Sequence, residues 1–153
     1  MEKEMKKNTS EIGVNKLEVD LERHKVPLSI VKCIDPRFNK ATLVAMAEKY
    51  EVDIADCDQL AFAGGAYRLA EGDSFALGEV EASVALHHPD TLLITSHTDC
   101  GKLKVSGICF DDHDTETSYH REMLERAADN VRLHLESKGL HVPEIRLELF
   151  DHQ

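Results

Sequence analysis

The sequence lacks three features that would each assign it to a class of proteins. It has no apolar run near the roughly 20 residues that a membrane-spanning helix needs. It has no excess of positive charge, because 18 lysines and arginines stand against 29 aspartates and glutamates, a net charge of −11. No apolar stretch follows the charged first residues, so the N-terminus does not have the pattern of a secretory signal. We therefore predict a cytoplasmic protein that binds neither nucleic acid nor membranes.

Cysteine is scarce too, at four residues, and no mark of secretion suggests that they pair. In a reducing compartment, thiols stay free and tend to bind metals or take part in catalysis. Internal repeats and low-complexity linkers are also missing. With 153 residues, of which 42% are hydrophobic, the chain is predicted to form one soluble domain, residues 1–153.

Apolar runs alternate with helical patterns along most of the chain. Four strands are predicted, over residues 27–34, 58–63, 91–96 and 144–150. Three helices are predicted, from Asn39 as N-cap to Tyr50 with Leu43, Val44 and Ala47 on one face, from Asp73 or Ser74 to His88, and over residues 115–138 with Gly139 ending it. Residues 1–24 are charged and are predicted to be disordered at the start and then to form a weak helix or arm, an N-terminal helical arm. The alternation predicts an α/β fold with a mostly parallel central β-sheet flanked by helices.

Chemically active side chains follow two of these strands. Cys33, Asp35 and Arg37 alternate at the end of the first strand, and His97 and Cys100 follow the third. Ligand sites in parallel sheets lie beyond the carboxyl ends of the strands, so the two groups are expected to meet. Two thiolates and an imidazole make a three-ligand zinc site that leaves a fourth position open, as in catalytic zinc sites. The other thiols, Cys57 and Cys109, are expected to be ordinary ones.

Asp35 allows three interpretations: a fourth zinc ligand, a group that orients a water molecule on the metal, or a turn former. Arg37 favours the second, because a bidentate arginine keeps a carboxylate ionised and able only to accept hydrogen bonds. Gly64 and Gly65, after the second strand, permit close approach of the backbone to a ligand, but a tight turn explains them equally well.

The motifs Cys33-x-Asp35-x-Arg37, Ala63-Gly64 and His97-x-x-Cys100-Gly101, in this order on strand ends, resemble those of the β-class carbonic anhydrases. The resemblance spans roughly residues 28–150. It implies that Cys33, His97 and Cys100 bind zinc, and that Asp35 and Arg37 form a catalytic pair. It places Gly64, Gly65 and Gly101 beside the substrate.

The implied activity is that of a carbonate dehydratase, a lyase in which zinc-bound hydroxide hydrates carbon dioxide reversibly to bicarbonate. The resemblance also implies a homodimer or higher homo-oligomer, with the N-terminal arm packed on the partner. The sequence departs from the family pattern at Pro36 and at Gly65-Ala66. Two alternatives stay open: a related zinc hydrolase of carbonyl sulfide or carbon disulfide, and a non-catalytic zinc-binding module on the same fold.

Overall fold

The fold is built on a sheet of four parallel strands. The computed structural model describes residues 11–153. The strands are β1 (Leu28–Cys33), β2 (Asp58–Phe62), β3 (Thr91–His97) and β4 (Glu144–Phe150), and they lie in the order β2-β1-β3-β4. The predicted α/β class is confirmed, and each strand boundary lies within one residue of its prediction.

The two central strands are buried almost throughout, while the edge strands β2 and β4 are partly exposed. Continuous apolar character suits β1 and β3 because helices cover both faces of the sheet. On one face Val31 and Ile94 belong to the larger core cluster, and on the other Ile30 and Leu93 pack with Met46.

Within the described residues, five helices connect and cover the strands: α1 (Pro36–Tyr50), α2 (Ala66–Ala70), α3 (Ser74–His87), α4 (Gly101–Val105) and α5 (His113–Ser137). A 3₁₀ turn spans Ile54–Asp56. The short helices α2 and α4 were not predicted, because five residues are too few to show a helical period. No helix in residues 11–153 has both the length and the apolar character to cross a membrane.

The N-cap of helix α1 lies four residues before the predicted N-cap, Asn39. Asp35 is its N-cap, where its carboxylate accepts a hydrogen bond from the Arg37 backbone N–H at 2.9 Å. Pro36 suits the first helical position because that position needs no N–H donor. The predicted apolar face is also wrong in part, since Val44 is exposed while Thr42 and Met46 are buried.

The predicted N-terminal helical arm is not observed in residues 11–24, which contain no helix. The apolar side chains of this segment are 66–87% exposed: Ile12, Val14, Leu17, Val19 and Leu21. Short helices in water depend on packing of an apolar face, and these side chains have none. The rest of the predicted arm, residues 1–10, lies outside the described residues.

Candidate metal centre

Three potential metal ligands meet at the carboxyl edge of the sheet. Cys33 ends β1 and His97 ends β3, and the two strands pair in parallel from Leu28 opposite Thr91 onward. Cys100 is the N-cap of α4, three residues after His97. The Sγ atoms of both cysteines and one ring nitrogen of His97 all lie within 4.8 Å of one another. The structure thus brings together the three residues that the sequence singled out.

The His97 ring is held with one nitrogen available to a metal. Its Nδ1 lies 2.7 Å from the carbonyl oxygen of Thr98, which can only accept, so Nδ1 carries the proton. Its Nε2 is buried and has no hydrogen-bond partner among the described residues. The Phe38 ring stacks on the imidazole with 4.1 Å between centroids. A buried nitrogen lone pair without a partner is unfavourable, and a metal ion would satisfy it.

Cys33 is prepared to act as a thiolate. A hydrogen bond with the neighbouring Cys100 thiol is the main cause that lowers the pKa of Cys33. The His97 ring and the Gly64 backbone N–H, which is 3.4 Å from Cys33 Sγ, lower this pKa further, whereas burial raises it. The pKa of Cys100 is raised by the adjacent Cys33 and by burial. Metal ligation requires both thiolates, so binding of an ion would release the proton from Cys100.

This donor set fits zinc. Two thiolates and an imidazole suit a borderline-soft ion such as Zn²⁺, whereas Mg²⁺ and Ca²⁺ prefer oxygen ligands. Three protein ligands leave a fourth tetrahedral position for a non-protein group. The Cys33–His97–Cys100 group therefore has the composition of an open zinc site.

Asp35 lies next to this group and is paired with Arg37. The guanidinium donates from Nη2 to Asp35 Oδ2 at 2.7 Å and from Nε to Oδ1 at 3.1 Å. The Arg37 side chain, and after it the Arg37 backbone N–H, hold the pKa of the Asp35 carboxyl below its usual value. Asp35 Oδ2 is 3.8 Å from His97 Nε2. The structure shows Asp35 as a helix N-cap, which agrees with its interpretation as a turn former, and as the partner of Arg37, on which the water-orienting interpretation depends.

Asp99 is a member of the site that the sequence did not point to. Arg37 Nη1 donates to Asp99 Oδ2 at 2.8 Å, and Nη2 donates to the Asp99 carbonyl oxygen at 2.9 Å. Lys104 binds the other carboxylate oxygen. The pKa of Asp99 is lowered to about 2 by Arg37 and then by Lys104. In the sequence, only the residue type of Asp99 agreed with its place in this loop. Asp tolerates the left-handed backbone conformation (φ 57°) that Asp99 adopts here.

The three glycines predicted beside the substrate have different surroundings. Gly64 donates its N–H to Cys33 Sγ. Gly65 has φ 52°, and a Cβ there would stand 2.9 Å from the Thr95 carbonyl oxygen. A Cβ on Gly101 would meet none of the described atoms within 4 Å. Gly64 and Gly65 therefore contact Cys33 and its strand. Of the three glycines, only Gly101 has open space where a side chain would be.

The remaining cysteines and histidines lie apart from this group. Cys57 is half-buried and Cys109 exposed, and all four cysteines are free thiols. His113 Nε2 pairs with Asp151 at 2.9 Å. His120 is fully buried, and its Nδ1 lies 3.0 Å from Ser96 Oγ. In residues 11–153 the group of Cys33, His97 and Cys100 is the one cluster with metal-binding spacing.

Two open cavities border the site. One of about 530 Å³ is lined by residues that include Asp99, Cys100 and Lys104. Another of about 380 Å³ is lined by residues that include Arg37 and Phe38. The first cavity therefore reaches Cys100, and the second reaches the Asp35–Arg37 pair through Arg37.

Comparisons with known proteins identify the fold. No protein-family model matches the sequence, and no curated protein matches it. Among solved structures, a carbonic anhydrase from Streptococcus mutans matches with a TM-score of 0.52 at 17% identity, over 98% of this chain and 90% of that one. A β-carbonic anhydrase from Trichomonas vaginalis matches with a TM-score of 0.51 at 15% identity, over 98% and 87% of the two chains. A carbon disulfide hydrolase matches with a TM-score of 0.42 at 14% identity, over 84% and 75%. The chain has the fold of the β-carbonic anhydrases.

Proposed function

We propose that this protein is a zinc-dependent carbonate dehydratase that converts carbon dioxide and water reversibly to bicarbonate and a proton. One observation carries the proposal: the buried Cys33–His97–Cys100 group lies beside a carboxylate that Arg37 holds in place. The fold is shared with proteins that have this activity. We assign metal binding to the three ligands and a catalytic role to Asp35 and Arg37.

The ligand residues have distinct tasks in this mechanism. Cys33 and Cys100 supply the two negative charges that balance a divalent ion, and His97 supplies the neutral imidazole. When bound, zinc lowers the pKa of a coordinated water molecule toward neutrality. The hydrogen bond from His97 Nδ1 to Thr98 fixes the ring so that Nε2 faces the two sulfur atoms.

Asp35 orients the reacting water. Because Arg37 keeps the carboxylate ionised, Asp35 accepts a hydrogen bond from the water and donates none. A water molecule held in this way would turn an oxygen lone pair toward the carbon of the substrate. Attack of that oxygen on carbon dioxide, with cleavage of one C=O π bond and loss of one water proton to the solvent, would give bicarbonate. The space beside Gly101 is the proposed position of the substrate.

We also propose that the protein forms a homodimer and works in a reducing compartment. The exposed apolar side chains of residues 12–21 support packing against a second copy, because burying them would remove apolar surface from water. Thiolate ligands require reduced cysteines, which supports a cytoplasmic location.

The test combines zinc content and stopped-flow carbon dioxide hydration on the same sample. We expect about one zinc per chain and rapid turnover in the wild type. Cys33→Ser should lose both, whereas Cys57→Ser, which alters another half-buried thiol outside the site, should keep both. Turnover that persists in zinc-free protein would contradict the proposal.

The same preparations separate the two alternatives. Carbonyl sulfide and carbon disulfide are assayed in parallel with carbon dioxide. Turnover of a sulfur substrate alone would replace the proposed substrate but keep the site. Stoichiometric zinc without turnover of any of the three would indicate a non-catalytic module.

A further inference from the structure

Asp99 connects the metal-ligand loop to three separate helices. Its N–H donates to Glu116 Oε2 of α5 at 2.8 Å, and its carboxylate accepts from Lys104 of α4. Its second carboxylate oxygen and its carbonyl oxygen both accept from Arg37 of α1. Every polar group of Asp99 is therefore engaged, and the residue stands between His97 and Cys100 without belonging to the group of potential metal ligands.

Arg37 needs such a second partner. Its side chain is long and 56% exposed, so a single pairing in water would hold it weakly. Asp35 engages Nε and Nη2, and Asp99 engages Nη1 and again Nη2. With carboxylates on two edges, the plane of the guanidinium is fixed by both of them.

We propose that Asp99 is a positioning residue that clamps Arg37, and that this clamp keeps the Asp35 carboxylate on Arg37 and away from the fourth metal position. The inference rests on the proposed function for its effect on turnover, but the clamp itself is a property of three side chains. Asp35 Oδ2 lies 3.8 Å from His97 Nε2, so a carboxylate released from Arg37 would be close enough to compete with water for an ion held by the three ligands. Asp99 thereby keeps the site open for water.

The backbone of the loop does not depend on the Asp99 carboxylate. Glu116 binds the Asp99 N–H, and Arg37 binds the Asp99 carbonyl oxygen, whichever side chain is present. Two substitutions also tolerate φ 57°: Gly adopts it freely, and Asn more readily than other residues. Asp99→Gly removes the clamp, and Asp99→Asn keeps its shape without its charge.

The control is Lys104→Met, which removes the other cation on Asp99 and leaves the contact with Arg37 in place. For each protein, zinc content, kcat and KM for carbon dioxide, and the ¹⁵N resonances of the Arg37 Nη atoms are measured. Separate Nη signals report a guanidinium that does not rotate, and averaged signals report one that does.

We expect Asp99→Gly to retain zinc, to show averaged Nη signals and to lose about tenfold in kcat, the lower end of the effect of groups that support metal ligands. Asp99→Asn should fall between this variant and the wild type, and Lys104→Met should resemble the wild type. Separate Nη signals with unchanged kcat in Asp99→Gly would overturn the inference. Loss of zinc from that variant would overturn it too, because Asp99 would then be a structural element of the loop. If the wild type holds zinc without turnover, the proposed function fails, and the Nη signals still decide whether the clamp exists.

Discussion

At the scale of single residues, the carboxyl edge of the sheet depends on close approach of backbones. Gly65 packs against both β1 and β3, and a Cβ there would be 2.9 Å from the Thr95 carbonyl oxygen and 3.0 Å from the Cys33 nitrogen. These two strands carry Cys33 and His97 at their ends. The missing side chain of Gly65 therefore sets how closely the ligand-bearing strand ends approach the turn after β2.

We expect Gly65→Ala to destabilise the protein by about 1–3 kcal/mol and to weaken zinc binding, because it combines backbone strain with a steric contact. Gly72→Ala is the matched control. Gly72 also has a left-handed φ, 72°, but no described atom within 4 Å of an added Cβ. Urea unfolding and a competitive zinc titration measure both effects. Equal losses in the two variants would show that the contact with Thr95 and Cys33 costs nothing beyond the backbone conformation.

At the scale of elements, a polar cluster joins α3 to β1 and β2. Ser83 Oγ lies 2.7 Å from Asp58 Oδ2 and 2.9 Å from Ser29 Oγ. Since the single Ser83 proton goes to the carboxylate, the Ser29 hydroxyl donates to Ser83. His87, one turn later on α3, contacts the same carboxylate at 2.8 Å. The cluster satisfies polar groups that α3 would otherwise bury against the sheet.

We expect Ser83→Ala to lower the free energy of unfolding by about 1–3 kcal/mol, because it leaves the fully buried Ser29 hydroxyl without its acceptor. Adding Ser29→Ala should cost little more, because the orphaned hydroxyl is then gone. A double-mutant cycle in urea tests this coupling. Additive effects would mean that the two hydroxyls act independently.

The N-cap of α3 makes a pH-dependent contribution. Asp73 accepts hydrogen bonds from the backbone N–H groups of Ala76 and Phe75, which lower its pKa below the value of about 3.8 for a free carboxyl. A carboxyl whose pKa is lower in the folded state stabilises above the unfolded pKa, and this contribution is lost as the pH falls through the folded pKa. The cap is therefore complete at neutral pH.

The stability difference between wild type and Asp73→Ala should accordingly be constant above about pH 5 and shrink below about pH 3.8. Asp73→Asn is the control, since Asn caps a helix equally well but does not titrate. Its advantage over Asp73→Ala should persist across the same range. Thermal unfolding of the three proteins in parallel cancels any shared effect of acid on the metal centre. A constant wild-type difference down to pH 3 would contradict the assignment.

At the scale of the whole molecule, the metal centre links elements that are far apart in the chain. Cys33 ends β1, and His97 and Cys100 flank the turn from β3 into α4. An ion bound to all three joins the two central strands at the edge where the substrate would bind. Folding and metal binding should therefore support each other.

Zinc should raise the melting temperature in a concentration-dependent way, because it binds the folded state in preference. At a thousandfold excess over Kd the gain is about 4.1 kcal/mol, and each kcal/mol corresponds to about 2–4 °C for a domain of this size. Calorimetry with and without a chelator measures the shift. Cys33→Ser should show almost none of it, and an equal shift in that variant would place the stabilising ion elsewhere.

How much was predictable follows from the range of the interactions involved. The strands and long helices are set by apolar periodicity, turn residues and caps within a few neighbouring residues, which is why β4 and the stop at Gly139 match their predictions. The helix expected within residues 11–24 is not observed and the Val44 face was wrong, because helix formation and burial depend on what other elements offer to pack against.

The sequence by itself determined the α/β class and which residues have metal-binding chemistry, because strand order along the chain places Cys33 and His97 on the same edge of a parallel sheet. Only the tertiary structure showed the pairing of Asp35 with Arg37, the burial of His97 Nε2 and the contact between Arg37 and Asp99. Arg37 and Asp99 are separated by 62 positions in the chain, and their contact exists only because α1 and the loop after β3 begin at adjacent strand ends. Contacts of that kind depend on distances between elements, which no local pattern encodes.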